Sequence, residues 1–267
     1  MATLAEVSDR QTTIVAITEQ LGRCSVAHLA QQFDVTPETI RRDLKQLETQ
    51  GLLRRVHGGA IIGGGTSPSD LLAVDEVNDL PIHQSQRRKQ AIAQAALELI
   101  PSPCASIFID AGSTTEAFAN TLARHYVGQS WVVVTNSPNI ARSLATAGVP
   151  SVSIVGGIVK ARTQAIVGPQ ATEALKNLRA DIAFLGTTGL SIDRGLTTSD
   201  PREADMKTAM LHQSNISVAL CDSTKIGKDS VETFAALNDL NFIVTDKNIS
   251  QSNIDSLRNF DPELVIP

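Results

Sequence analysis

In the C-terminal part of this chain, seven short apolar runs alternate with segments of helical periodicity. The runs fall at residues 106–109, 131–134, 152–155, 182–185, 216–220, 242–244 and 264–266. They are nearly continuous in Val, Ile, Leu, Phe and Ala, as expected of strands covered by helices on both faces. Their spacing suits right-handed βαβ crossovers, so the sequence predicts an open, largely parallel α/β sheet. A chain of 267 residues predicts about two domains at roughly 150 residues each, which leaves the N-terminal part to form a second fold. With 42% apolar and 19% charged residues, the composition is that of a globular chain rather than a disordered or fibrous one.

The first 60 residues read as helices followed by a hairpin. Ile14, Ile17 and Leu21 recur at helical spacing before Gly22, and Val26, Leu29, Ala30 and Phe33 line a second short helix. After the turn at Asp34-Val35, Thr36 is a good N-cap and Pro37 suits the first helical position. The third helix is predicted over residues 37–50, with Gly51 as its stop. At about 100° per residue, Ile40, Leu44 and Leu47 share one side. Glu38, Arg42, Lys45 and Thr49 lie opposite, with Arg41 on the flank. Such a helix can enter a DNA major groove, where Arg reads guanine and Lys meets phosphate. Arg54, Arg55 and His57 follow on a hairpin placed like the wing of a winged helix. Residues 41–57 carry five basic against two acidic residues, in a chain of net charge −5. That balance excludes a uniformly basic coat protein and allows a small basic reading head on an acidic body.

The stretch Ser25-Val26-Ala27-His28-Leu29-Ala30-Gln31-Gln32-Phe33-Asp34-Val35-Thr36-Pro37-Glu38-Thr39-Ile40-Arg41-Arg42-Asp43-Leu44, with Arg55-Val56-His57-Gly58-Gly59-Ala60 after it, resembles the DeoR/GlpR family of bacterial transcription regulators. The resemblance runs through nearly the whole chain. It implies an N-terminal winged helix-turn-helix that binds double-stranded operator DNA. The candidate DNA-binding set is Thr36, Glu38, Thr39, Arg41, Arg42, Lys45, Arg54, Arg55 and His57. Residues 61–85, rich in Gly and Ser and carrying acids, read as a linker between a DNA-binding domain at 1–60 and an α/β domain at 86–267. Arg87-Arg88-Lys89 is expected to open a helix.

The informative loops of the second domain follow the predicted strands: Asp110-Ala111-Gly112-Ser113-Thr114-Thr115, Thr135-Asn136-Ser137, Gly156-Gly157, Gly186-Thr187-Thr188-Gly189 and Asp222-Ser223-Thr224-Lys225. Ligands of open α/β sheets bind at the carboxyl ends of strands. Gly112-Ser113-Thr114-Thr115 also opens a helix, where free N–H groups and the helix dipole favour an anion. Lys225 is a candidate counter-charge. These motifs resemble the sensor domain of the same family, similar in fold to ribose 5-phosphate isomerase. The resemblance implies a phosphorylated sugar as effector, with its phosphate held by Gly112, Ser113, Thr114 and Thr115. It implies further contacts at Thr135, Asn136, Gly156, Gly157, Asp200, Glu203, Lys207 and Lys225; Asp110, Gly186 and Gly189 lie in the same loops. On plainer grounds, Asp200 would cap a helix starting at Pro201, and Glu203 and Lys207 would form an i,i+4 pair.

The competing reading is a sugar-phosphate isomerase with a DNA-binding appendage. Isomerisation needs a base beside the sugar carbonyl, and the loop Gly186-Thr187-Thr188-Gly189 carries no carboxylate. Asp181 precedes its strand and should point to the wrong end. No catalytic residue, metal or cofactor is expected. The three cysteines, Cys24, Cys104 and Cys221, are too sparse for a disulfide framework or zinc site. With no long apolar run, a cytoplasmic homodimer or homotetramer without membrane contact is the expectation.

Overall fold

The computed structural model describes residues 4–21, 23–50, 52–56, 58–62, 82–101, 103 and 105–267. The chain divides into two compact units, Met1–Leu72 and Ala73–Pro267. Gly22, Gly51, His57, Cys104 and most of the expected linker, 63–81, lie outside the described residues, as does the side chain of Arg54.

The first unit runs α1 (Leu4–Leu21), β1 (Arg23–Ser25), α2 (Val26–Gln32), α3 (Pro37–Thr49), β2 (Leu53–Val56) and β3 (Gly59–Ile62). The strands form an antiparallel sheet in the order β1-β3-β2. Local chemistry sets the helix starts. Ser25 Oγ accepts the His28 N–H at 3.1 Å, Thr36 Oγ1 accepts that of Thr39 at 3.3 Å, and Pro37 takes the first helical position. Asp34 makes the turn between α2 and α3 with φ 51°, a left-handed conformation that Asp tolerates better than most residues. Ile14, Leu29, Ile40, Leu44, Leu47, Leu53 and Ala60 make the core. At Gly59 a Cβ would stand 1.9 Å from the Cys24 carbonyl oxygen, so only glycine lets β3 lie this close to β1.

In the second unit, α4 (Ile82–Leu97), β4 (Ser106–Ile109), α5 (Ser113–Arg124), β5 (Val132–Thr135), α6 (Pro138–Thr146) and β6 (Ser151–Ile154) are followed by β7 (Ile158–Val159), β8 (Ile166–Val167), α7 (Pro169–Leu175) and β9 (Ala180–Gly186). Then come β10 (Gly189–Ser191), β11 (Gly195–Thr198), α8 (Pro201–His212), β12 (Ser214–Leu220), β13 (Glu232–Ala235), β14 (Phe242–Val244), α9 (Gln251–Leu257) and β15 (Glu263–Val265). The seven expected strands form one sheet, β15-β14-β12-β9-β4-β5-β6, in which every neighbouring pair is parallel. Side chains alternate across it. Ile107, Ile109, Ile182 and Phe184 pack with Ile92 of α4, Phe118 of α5 and Ile140 of α6. Phe108, Ala183 and Leu185 pack with Leu175 of α7 and Met206 and Met210 of α8. Burial on both faces is why the runs read as continuous.

Two edges of the expected linker are corrected. β3 continues through Ile62, because Ile61 and Ile62 pair with Arg54 and Leu53, and α4 begins at Ile82, ahead of the basic triplet Arg87-Arg88-Lys89. The antiparallel pair β7–β8 and the antiparallel sheet β10-β11-β13 were not anticipated, since their strands are only two to four residues long, too short to show a period. Among the described residues, no helix is long and apolar enough to cross a membrane.

The sheet has one topological switch. From β4 the chain adds β5 and β6 on one side, then returns to add β9, β12, β14 and β15 on the other. In such sheets the crevice outside the carboxyl ends of the two strands flanking the switch, here β4 and β9, is where ligands bind.

Candidate functional site

The residues expected to read DNA lie on α3 and the β2–β3 hairpin. Ile40, Leu44 and Leu47 are buried, while Glu38, Arg41, Arg42, Lys45 and Thr49 are exposed, as is Arg55. Arg41 Nη1 lies 3.0 Å from Glu38 Oε2, with the side chains 56% and 81% exposed. A pair this wet holds its cation loosely, at about 0–1 kcal/mol, and can exchange it for a phosphate. The Arg55 N–H donates to Glu48 Oε1 at 2.8 Å, which ties the wing to the end of α3. Thr36 is engaged as the cap, its hydroxyl 2.9 Å from that of Thr39.

Asp43, read from sequence only as a negative charge in the basic stretch, is buried. It accepts from Arg10 Nε at 2.7 Å and Gln11 Nε2 at 3.1 Å, fixing α3 against α1. Its position, three residues after Ile40 and four before Leu47, was the available signal: it lies on the buried stripe.

In the second unit, the loops after β4, β5, β9 and β12 gather at the carboxyl edge of the sheet. At its centre, Lys207 of α8 donates from Nζ to Asp110 Oδ2 and, at 2.9 Å, to the Gly186 carbonyl. Asp110 also accepts the Gly186 N–H at 3.3 Å. Both side chains are nearly dry, 5% and 3% exposed, and the Lys207 ammonium lies 5.4 Å from the Phe234 ring centroid, within cation–π range. Burial pushes the Asp110 carboxyl above its ordinary range, and Lys207 opposes that shift. The expected i,i+4 pair of Glu203 with Lys207 gives way here: Lys207 turns inward to Asp110, and Glu203 takes another cation.

That cation is Lys160, just after β7 and missed in the sequence. Its Nζ stands 2.8 Å from Asp200 Oδ2 and 2.6 Å from Glu203 Oε1. Thr163 and Thr198 donate to Glu203 at 3.1 and 3.2 Å. Asp200 caps α8 through the Arg202 N–H at 2.9 Å, as its place before Pro201 predicts. Hydrogen bonds from Arg202, then Lys160, hold the Asp200 carboxyl far below the usual carboxylate range against its partial burial. Burial works against the Glu203 carboxylate, but Lys207 and Lys160 together outweigh it and keep its pKa low. Asp110 is thus paired with Lys207, and Asp200 and Glu203 share Lys160. Asp181, the second residue of β9, accepts from Ser106 at the opposite edge.

At the start of α5, Gly112 precedes a helix whose first turn no side chain caps. Gly112 and Ser113 are exposed. Thr115 is buried and donates to the Gly112 carbonyl at 2.9 Å. Thr114 is only 3% exposed, and its Oγ1 has no hydrogen-bond partner. On the facing loop, Lys225 Nζ donates to the Thr187 carbonyl at 2.8 Å. Thr135 and Asn136 reach the same edge with their polar atoms engaged. Thr135 Oγ1 accepts the Ser137 N–H, Asn136 Oδ1 accepts that of Ala111, and Asn136 Nδ2 donates to the Ile166 carbonyl. The glycines divide. A Cβ at Gly157 would stand 2.8 Å from Val167 O, and one at Gly189 2.5 Å from Lys228 O, so protein fills the space beside them; Gly156 is open, and Gly186 has ordinary contacts. Among the described residues, no cluster of His, Cys, Asp or Glu is arranged to hold a metal.

Comparison with known proteins matches each unit to a known domain. Residues 10–63 match the DeoR-like helix-turn-helix domain and residues 84–247 the DeoR C-terminal sensor domain. The HTH-type transcriptional regulator GlpR of Haloferax volcanii is 31% identical over 94% of this chain and 94% of its own length. The glycerol-3-phosphate regulon repressor of Escherichia coli K12 is 29% identical over 90% of each chain, and the regulator GolR of Listeria innocua 30% identical over 91% and 92%. Among solved structures, ribose 5-phosphate isomerase A of Methanocaldococcus jannaschii aligns over 54% of this chain and 55% of its own, at 16% identity and a TM-score of 0.40. The three regulators match 90–94% of this chain, and the sensor model alone covers more than half of it: the protein belongs to the DeoR family of DNA-binding transcriptional regulators.

Proposed function

We propose that this regulator represses a carbohydrate-metabolism operon. It grips operator DNA through α3 and the β2–β3 wing, and a phosphorylated sugar at the carboxyl edge between β4 and β9 changes that grip. The observation that carries the effector reading is the first turn of α5. An uncapped helix start presents N–H groups, and the unpartnered Thr114 hydroxyl stands among them. This is anion-binding chemistry, with Lys225 supplying a counter-charge across the crevice. The buried Lys207–Asp110 pair holds the ends of β4 and β9 in register beneath the ligand. Lys160, Asp200 and Glu203 offer hydrogen-bonding groups for sugar hydroxyls.

On the DNA side, Arg42 and Lys45 face the major groove and Arg41 the backbone. Thr36, Glu38, Thr39, Arg54, Arg55 and His57 complete the interface. One small reading unit covers one half-site, so two copies act on a pseudo-palindrome, as a cytoplasmic homodimer or homotetramer held by the sensor units. Residues 63–81 join the two functions.

The test is operator binding by fluorescence anisotropy across titrations of ribose 5-phosphate and glycerol 3-phosphate, for the parent and for Lys225→Ala. The expected result is normal operator affinity in the free variant with a lost response to the sugar phosphate. Response at the parent's concentration places the phosphate elsewhere, and loss of DNA binding before any sugar is added makes Lys225 structural.

A further inference from the structure

Arg88 belongs to α4 and to none of the loops that follow the strands, yet it reaches the effector edge. Its side chain is 11% exposed. Nη1 donates to Ser223 Oγ at 2.9 Å, and Nε stands 3.9 Å from Asp246 Oδ1 without a hydrogen bond of its own. Asp246, just after β14, accepts the Ser223 N–H at 2.8 Å and the Ser223 hydroxyl at 3.1 Å. Ser223 is therefore gripped from two sides, by a helix and by a strand end. It opens the 3-10 turn Ser223–Lys225, whose last residue donates from Nζ to Thr187 O. The next residue back, Gly186, bonds both Asp110 and Lys207. One continuous set of polar contacts thus runs from the buried pair at the switch point to α4.

We propose that Arg88 is a positioning residue of the effector site. It fixes the 3-10 turn so that Lys225 faces the end of β9, and it ties that turn to α4, the first described helix after the segment leading from the reading unit. The proposal rests on the reading that an anion binds at this edge. An anion that draws Lys225 away from Thr187 O moves the turn, and Ser223 passes the movement to Arg88. The guanidinium hydrogen-bonds the Ser223 hydroxyl through Nη1 while its fixed charge stays close to the Asp246 carboxylate. The movement reaches DNA affinity only if the two states of this contact differ in affinity for the effector.

The first measurement needs no ligand. Hydrogen exchange of α4 amides is followed by mass spectrometry in the full chain, comparing the parent, Lys225→Ala, Arg88→Gln and the double variant. Lys225→Ala should speed α4 exchange by about threefold to tenfold, and should add nothing in the Arg88→Gln background, because the contact that carries the effect is already gone. Unchanged α4 exchange in Lys225→Ala, or additive effects in the double variant, overturns the proposal. Ser223→Ala removes the acceptor of the same contact and should reproduce Arg88→Gln, which keeps the test decisive if the Arg88 variant folds poorly. The second measurement is calorimetric binding of ribose 5-phosphate and of inorganic phosphate. Arg88→Gln and Ser223→Ala should weaken binding about tenfold, the equivalent of ~1.4 kcal/mol, and equal affinity in parent and variants overturns the positioning role. If neither probe binds the parent, it is the effector reading that fails, and the exchange result alone decides for or against Arg88.

Discussion

The outer side of α3 and the carboxyl edge of the large sheet handle charge in opposite ways. On α3 the charged groups that face outward are wet: Arg41 and Glu38 pair with more than half of each side chain in solvent. At the sheet edge, Lys207 and Asp110 pair with almost none. A wet pair is weak and exchangeable. A dry pair is costly to break, because either partner alone is left as a buried charge. Here it fixes the loop after β4 to the end of β9. Among the described residues, the reading unit has one dry exception, Asp43 with Arg10, and that contact also fixes geometry: it sets α3 against α1.

The most forceful way to break this comparison is Lys207→Met. Removing the cation leaves Asp110 buried and unpaired, and urea unfolding of the second unit should lose about 3–5 kcal/mol. Adding Asp110→Asn should recover a substantial part, since the two effects are not additive. A loss below about 1 kcal/mol would place this pair in the same class as Arg41–Glu38. Thr114→Val sharpens the contrast differently. It removes a hydroxyl that has no partner, so the unfolding midpoint should hold, while ribose 5-phosphate binding, followed by calorimetry, should weaken by about 1.5–3 kcal/mol, the usual range for a hydrogen bond to a charged group. Concurrent loss of stability would show that the hydroxyl holds the fold.

Arg42→Ala probes the wet side. Operator affinity should fall by about 1–3 kcal/mol if the guanidinium makes a bidentate base contact, with thermal unfolding unchanged. Intact operator binding in an Arg41→Ala, Arg42→Ala double variant would remove α3 from the groove. The smallest effect is expected from acid. Asp200, Glu203 and Asp246 are all held below their ordinary ranges, so each adds stability that is fully present above about pH 5 and is lost as pH falls through the lower folded values. Differential scanning calorimetry should show the melting temperature of the second unit dropping below that pH, and less steeply in Lys160→Ala.

Much of this architecture is legible in the residues themselves. The seven apolar runs correspond to the seven parallel strands, and the stripe of Ile40, Leu44 and Leu47 separates the buried side of α3 from its reading side. Such features depend on periodicity along a few neighbouring residues, which a sequence displays directly. Thr36 and Asp200 as helix caps were legible for the same reason, because a cap acts within three residues of itself. The partners at the sheet edge were not. Lys207 lies 97 residues from Asp110, and Lys160 lies 43 from Glu203; no local pattern chooses between these cations and the i,i+4 neighbour that a helix always offers. That choice, the placing of the crevice between β4 and β9, and the reach of Arg88 across 135 residues to Ser223 were decided by strand order. Strand order comes from packing two helix-covered faces around one sheet, and it brings together carboxyl ends whose distance in sequence carries no trace of their distance in space.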